Sequence, residues 1–360
     1  MRPIIIDKIK PGVKIALPLY NSEGKILLKQ NTALNEPYIQ KLRALGVSTV
    51  YIHDKRFENI EAKDVIEPEL RIRTIKTMRD YIYHFAGFKD PDAATADLNT
   101  FNEIALLLVD RLSAGGGKIA INLMDIKPFE SYESAHLTNT AVLSVIAGVY
   151  MGMKKKELLE LCLGVLMHDI GKALIDKKVL NKPANLTKEE FNILSKHPEL
   201  GCRLIKNCRN YPAESLKVVL LHHEKLNKKG YPFGVGEDKL NTYTRIASVA
   251  DIYDALTSDR IYRKKMLPHN ALKLIANLAG AELDRGVVNS YREFIIQYPI
   301  STLVELNTGE KGIVVRINKE NNAPVVRLHY DRFNRELTKP LEVDLGKDES
   351  FEIADVLEDI

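Results

Sequence analysis

Apolar and polar positions divide the chain into three stretches of different rhythm. In residues 1–62, short apolar runs are broken by turn residues. Val13–Leu19 follows Pro11-Gly12, and Asn21-Ser22-Glu23-Gly24 precedes Lys25-Ile26-Leu27-Leu28. Pro37–Leu45 reads as a short helix stopped by Gly46, and Val47–Ile52 as a further strand. A small α+β unit without a chemical motif is expected there.

Between 63 and 297 the spacing becomes helical. Leu158, Leu161, Val165 and His168 recur on one side. Thr187-Lys188-Glu189-Glu190 has the form of a capping box, with Phe191, Leu194 and His197 following on one face. Ala247, Ala250, Asp254 and Ala255 predict a closely packed helix, and Gly115-Gly116-Gly117 marks a joint. From about 298 the rhythm shortens again. Thr302–Leu306, Gly312–Ile317 and Val325–Tyr330 read as strands separated by Asn307-Thr308-Gly309 and Asn321-Asn322. The expected fold is multidomain: a mainly α-helical bundle over 63–297, with a small N-terminal α+β unit (1–62) and a small C-terminal β unit (298–360).

Composition narrows the classes. Over 360 residues, 45% are hydrophobic and 28% charged, a globular profile. The longest nearly apolar run, Ala141–Met153, is shorter than the roughly 18–20 residues of a membrane span. The apolar stretch after Met1 is too short for a secretory signal, so a cytoplasmic chain is expected. A net charge of +4 is too mild for general nucleic-acid binding. Cys162, Cys202 and Cys208 follow no metal or redox spacing and read as free thiols in a reducing compartment.

The chemistry lies in the histidines. Of nine in the chain, His136, His168, His197, His222 and His223 fall in one stretch, with Asp169 directly after His168 and Asp251 further on. Successive elements are 25 to 32 residues apart, about the length of a helix and its connection, so each returns the chain to a common centre. Five imidazoles and two carboxylates are too many for one tetrahedral zinc. Adjacent side chains on a helix diverge by about 100°, so His222 and His223 need a helix end or a second metal to act together. Asp169 has two oxygens and can bridge two cations. A mixed nitrogen and oxygen set suits iron, manganese or zinc.

These residues resemble the HD-GYP subgroup of the HD phosphohydrolase superfamily. The matches run in order through His136, His168-Asp169-Ile170-Gly171-Lys172, Lys196-His197-Pro198, His222-His223-Glu224, Gly230-Tyr231-Pro232, and Asp251 to Arg263. They cover roughly 128–297, so the central bundle is expected to be of HD type. The resemblance implies a phosphodiesterase that hydrolyses cyclic di-GMP, a bacterial second messenger, to pGpG, GMP or both. It also implies two or three divalent metal ions, iron first and manganese second. One metal would take His136, His168, Asp169 and Asp251; the other would take His197, His222 and His223, with Asp169 bridging. Glu133, three residues before His136 on the same helical side, is the candidate for a third metal, and a solvated glutamate is the competing reading.

The expected mechanism is attack on phosphorus by a hydroxide shared between two cations, which also clamp the transition state. Lys172 is expected at the phosphate or the leaving oxygen. Arg260 and Arg263, one helical turn apart if that segment is helical, would face a phosphate or a guanine edge, with salt bridging to acids as the alternative. Tyr231 would line the guanine pocket or pack the loop, and Asp254 would support a ligand. Two departures from the family pattern bear on the loop: Lys225-Leu226-Asn227-Lys228-Lys229 replaces the usual Arg-x-Asp-Gly-x, and Ile261 replaces a proline. Other readings are a non-catalytic regulator that binds cyclic di-GMP, an HD-type nucleotidase and a di-iron oxygenase. A homo-oligomer or a signalling partner would act through the flanking units.

Overall fold

The computed structural model describes residues 1–21, 25–45, 47, 49–54, 57, 64–114, 132–258, 265–318 and 321–357. They form two compact units, one from the described residues of 1–65 and 295–360, the other from those between 66 and 294.

In the first unit, β1 (Arg2–Ile5) pairs antiparallel with β4 (Thr49–Ile52), and β2 (Leu19–Tyr20) with β3 (Ile26–Leu28). Helix α1 (Glu36–Ala44) begins where the Asn35 side chain accepts a hydrogen bond from the Tyr38 amide at 2.9 Å. Ile4, Ile15, Ile39, Leu42 and Val50 form the core between them. The C-terminal part is an antiparallel sheet in the order β8-β7-β6-β5-β9. Its strands are β5 (Leu303–Leu306), β6 (Lys311–Ile317), β7 (Pro324–Tyr330), β8 (Glu336–Asp344) and β9 (Ile353–Leu357). Phe57 buries its ring against Leu303 and Ile313, and the Ser301 hydroxyl donates to the Met1 carbonyl, so both chain ends contribute to this unit.

The sheet has two strands more than the pattern predicts. β8 is an edge strand whose residues are mostly exposed, with a proline inside it and charges along it. Those features blunt an open edge, and they also erase the apolar alternation by which a strand is recognised.

The second unit is helical. Its helices are α2 (Pro68–Ala86), α3 (Asn99–Ser113), α4 (Tyr132–Tyr150), α5 (Lys155–Leu166), α6 (Lys177–Leu180), α7 (Lys188–Leu194), α8 (His197–Ile205), α9 (Ala213–Leu221), α10 (Thr242–Thr257), α11 (Pro268–Leu278) and α12 (Arg285–Phe294). Helix α4 is the centre. Its residues from Ser134 to Thr138 and from Thr140 to Gly148 are buried on every side, as expected for a helix apolar all round. It packs against α2, α5 and α10, and α5 packs against α9. The Thr187 capping box forms: its hydroxyl accepts from the Glu190 amide at 3.2 Å and the Glu190 carboxylate accepts from the Thr187 amide at 2.7 Å. No described helix is long and apolar enough to cross a membrane.

Candidate metal centre

Each chemistry-bearing side chain enters the centre of the bundle from a helix or a helix end. Helix α5 stops at Leu166, and His168 and Asp169 follow before a 3-10 turn at Ile170–Leu174. His197 opens α8 ahead of Pro198, where a proline costs no helical hydrogen bond. α9 ends at Leu221, so His222 and His223 leave a helix end, the condition under which neighbours in sequence can point to one place. His136 comes from α4 and Asp251 from α10.

Two groups of ligand atoms result. Asp169, His197, His222 and His223 form one; His136, His168 and Asp251 form the other. Asp169 also touches the second group. Its Oδ1 lies 3.1 Å from His197 Nε2 and 3.6 Å from His222 Nε2, and its Oδ2 lies 3.5 Å from His168 Nε2 and 3.7 Å from His136 Nε2. Asp251 lies 3.1 Å from His136 Nε2 and 3.7 Å from His223 Nδ1.

Hydrogen bonds on the far sides of the rings fix which nitrogen of each faces the group. His168 Nδ1 donates to the Val165 carbonyl at 2.7 Å and His197 Nδ1 to that of Leu194 at 2.8 Å. His222 Nδ1 donates to Val218 and Val219 carbonyls, both at 3.1 Å. A neutral imidazole that donates through Nδ1 keeps a lone pair on Nε2. His197 and His222 therefore aim two lone pairs at each other across 3.3 Å. His168 Nε2 and Asp169 Oδ1 are buried without a hydrogen-bond partner. Buried acceptors that face only one another repel unless a cation lies among them, so the donor set fits divalent metal ions.

Electrostatics agree. Burial pushes the His168 imidazole down to about 3 and lowers His197 and His223, keeping these rings neutral as ligands must be. Burial opposes the charged forms of Asp169 and Asp251, but the surrounding groups outweigh it. Lys172 holds Asp169 well below the usual carboxylate range, and the charged His136 does the same for Asp251. His136 behaves oppositely. Against the effect of burial, Asp251 and Asp254 raise it to about 9, and its Nδ1 donates to Asp254 Oδ2 at 2.6 Å.

Two glycines make the geometry feasible. A Cβ on Gly171 would lie 2.0 Å from the His197 carbonyl oxygen, so the turn after Asp169 and the start of α8 meet backbone to backbone. A Cβ on Gly230 would lie 2.4 Å from both the His223 carbonyl oxygen and Glu224 Cα. That contact folds the Gly230-Tyr231-Pro232 loop, which contains a cis peptide before Pro232, over the second histidine pair. Tyr231 stacks on His223 with ring centroids 4.5 Å apart, and Phe191 meets it edge-on at 5.6 Å.

Lys172 Nζ donates to Asp169 Oδ2 at 2.5 Å and stays partly open to solvent. Glu133, in the first turn of α4, joins neither ligand group and retains solvent access. Desolvation by neighbouring protein raises its carboxyl, with Asp169 adding to the effect and Lys172 opposing it. Arg260 and Arg263 lie outside the described residues, as does the glycine joint at 115–117.

The HD domain family matches residues 118–287, and the family described as a KOW domain associated with HD domain matches 303–359. The chain is 30% identical over 290 residues to the cyclic di-GMP phosphodiesterase PA4108 of Pseudomonas aeruginosa, covering 79% of this chain and 69% of that protein. The chain belongs to the HD-GYP family. Another relative, the cyclic di-GMP phosphodiesterase PdeB of Borreliella burgdorferi, is 29% identical over 197 residues, 54% of this chain and 52% of its own length. The solved structure of Bd1817, an HDG"Y"P protein from Bdellovibrio bacteriovorus, aligns with a TM-score of 0.50 at 16% identity, over 80% of this chain and 97% of that one, and shares the fold.

The HD-GYP motif carries one residue whose role is invisible in the pattern. Glu224 is buried, and its carboxylate accepts from the amides of Phe233 at 2.7 Å, Gly234 at 3.0 Å and Val235 at 3.1 Å. It ties down the far side of the loop that carries Tyr231. An acid directly after two histidines is the available signal, but its acceptors' partners lie nine to eleven residues on and belong to tertiary structure.

Proposed function

We propose that the chain hydrolyses the phosphodiester bonds of cyclic di-GMP, giving pGpG, GMP or both. The carrying observation is the convergence of seven acceptor side chains into two adjoining groups that share Asp169. The relatives' activity supports the substrate. In this reading His136, His168, Asp169 and Asp251 hold one cation, and His197, His222, His223 and Asp169 hold the other, iron before manganese. Glu133 is the proposed addition if a third is bound. Bound there, divalent cations supply a water of lowered pKa and neutralise phosphate charge.

The chain's own residues do the rest. Asp169 anchors Lys172, whose remaining N–H groups are free to meet a phosphate oxygen as charge develops. The carbonyl-bound Nδ1 atoms keep three rings fixed with no reorganisation during the reaction. Tyr231, stacked on His223, is assigned to the guanine pocket on the resemblance. Arg260 and Arg263 are assigned to a phosphate or guanine edge on the resemblance alone. The segment 1–62 is proposed to be regulatory.

The test is to purify the full chain without oxygen, count its metals, and supply cyclic di-GMP, a cyclic GMP-AMP dinucleotide and simple nucleotides, with and without chelator. Chelator-sensitive cleavage of cyclic di-GMP is expected, and Asp169→Ala should lose both metal and turnover. Tight binding of intact cyclic di-GMP with iron or manganese present would identify a regulator instead. Full metal content and turnover in Asp169→Ala would refute the shared ligand.

A further inference from the structure

Asp254 does not hold His136 unaided, and the groups that hold it lead away from the metal centre to α2. Asn139 Nδ2 donates to Asp254 Oδ1 at 3.0 Å, and the Ser258 hydroxyl donates to the same oxygen at 3.1 Å. On the other side of that amide, Arg71 Nη1 donates to Asn139 Oδ1 at 2.6 Å. Arg71 is only 1% exposed and lies in α2, outside the stretch 118–287 that matches the HD domain family.

The order of donors and acceptors leaves the amide one orientation. A guanidinium only donates, an ionised carboxylate only accepts, and Asn139 must turn its oxygen to the first and its nitrogen to the second. Asp254, held on Oδ1, accepts the His136 Nδ1–H with Oδ2. That bond fixes the direction of the His136 ring, so Nε2 faces Asp251 and Asp169, where a bound cation would take the place of its proton.

We propose that Arg71 is a positioning residue for His136, acting through Asn139 and Asp254. The inference rests on the reading of His136 as a metal ligand. Without the guanidinium the buried Asn139 oxygen loses its donor, and the amide can swing off Asp254 to satisfy it elsewhere. The carboxylate then loses a donor, and the ring it orients loses its fixed direction. A buried arginine is costly to keep, and a well-packed apolar side chain would hold α2 against α4 more cheaply.

The experiment strips metal from the full chain and titrates it with Mn2+ alone, following free Mn2+ by electron paramagnetic resonance, with cyclic di-GMP turnover measured in parallel. Arg71→Met is expected to weaken one Mn2+ binding step roughly tenfold, within the range seen when a ligand's supporting partner is removed. kcat should fall while KM stays within about twofold, as for a change that misplaces catalytic groups without touching substrate. Arg71→Lys should recover part of both. Asn139→Asp keeps a partner for Arg71 but sets a second carboxylate against Asp254, and should reproduce the Mn2+ defect even if Arg71→Met does not fold. Wild-type Mn2+ binding and kcat in Asn139→Asp, or in an Arg71→Met protein that has only lost thermal stability, would overturn the proposal. A wild-type chain that takes up neither Mn2+ nor, without oxygen, Fe2+ would instead overturn the metal reading and this inference with it.

Discussion

Gly171→Ala is the substitution whose consequence the structure specifies most closely. The added Cβ would stand 2.0 Å from the His197 carbonyl oxygen and 2.5 Å from the Gly201 amide nitrogen, where real Cβ contacts essentially never fall below 3.0 Å. Both obstacles are backbone, so no side chain can swing aside. The turn after Asp169 and helix α8 must part by about 1 Å, and overpacking of this kind costs about 1–3 kcal/mol. In a unit of this size each kcal/mol lowers the melting temperature by about 2–4 °C. The larger effect is on chemistry. His197 rides on α8, and its Nε2 lies 3.1 Å from Asp169 Oδ1. A 1 Å displacement of a catalytic group costs about a hundredfold in rate. Melting, elemental metal analysis and cyclic di-GMP hydrolysis should therefore all change, turnover most of all. Gly87→Ala is the control: its backbone is ordinary right-handed helix, and its Cβ would meet only the His84 carbonyl oxygen at 3.3 Å. A Gly171→Ala protein with wild-type metal content and turnover would show that the backbone approach does not position His197.

Glu224→Gln sets an amide nitrogen against donors that the carboxylate now satisfies, a loss of about 1–3 kcal/mol localised to the loop. Metal content should hold while KM for cyclic di-GMP rises, and steady-state kinetics with an unchanged KM would contradict the loop's role. Removing the metals should lower the melting temperature, because a ligand at a hundred times its dissociation constant contributes about 2.7 kcal/mol. Calorimetry before and after chelation measures this, and identical melts would argue against structural coupling of the site. Cys162 is buried and its thiol is pushed up to about 12, so it should stay unalkylated at pH 8 in the folded chain while the more accessible Cys202 reacts first. Mass spectrometry after brief maleimide treatment would expose the opposite order.

The clustering of imidazoles and carboxylates is legible because such groups are costly inside apolar helices, and each one there asks for a partner. The helical centre is legible for the same reason that α4 is buried: its apolar positions run all round. What the pattern cannot carry is direction. That three histidines donate through Nδ1 to carbonyls at the end of the preceding helix, leaving Nε2 free, depends on backbone placement. Arg71 and Arg73 look alike in the string, yet one is buried against Asn139 and the other pairs with Glu103 in solvent at 2.8 Å. β8 is hidden by the charges that protect its open edge.

The place of Arg71 on α2 has a practical consequence for anyone exchanging parts between proteins of this kind. A graft cut at 118 and 287 would transplant every metal-directed side chain and abandon the guanidinium beneath them. Such a chimera should arrive with its imidazoles intact and its first one loosely aimed, so the join belongs ahead of Pro68.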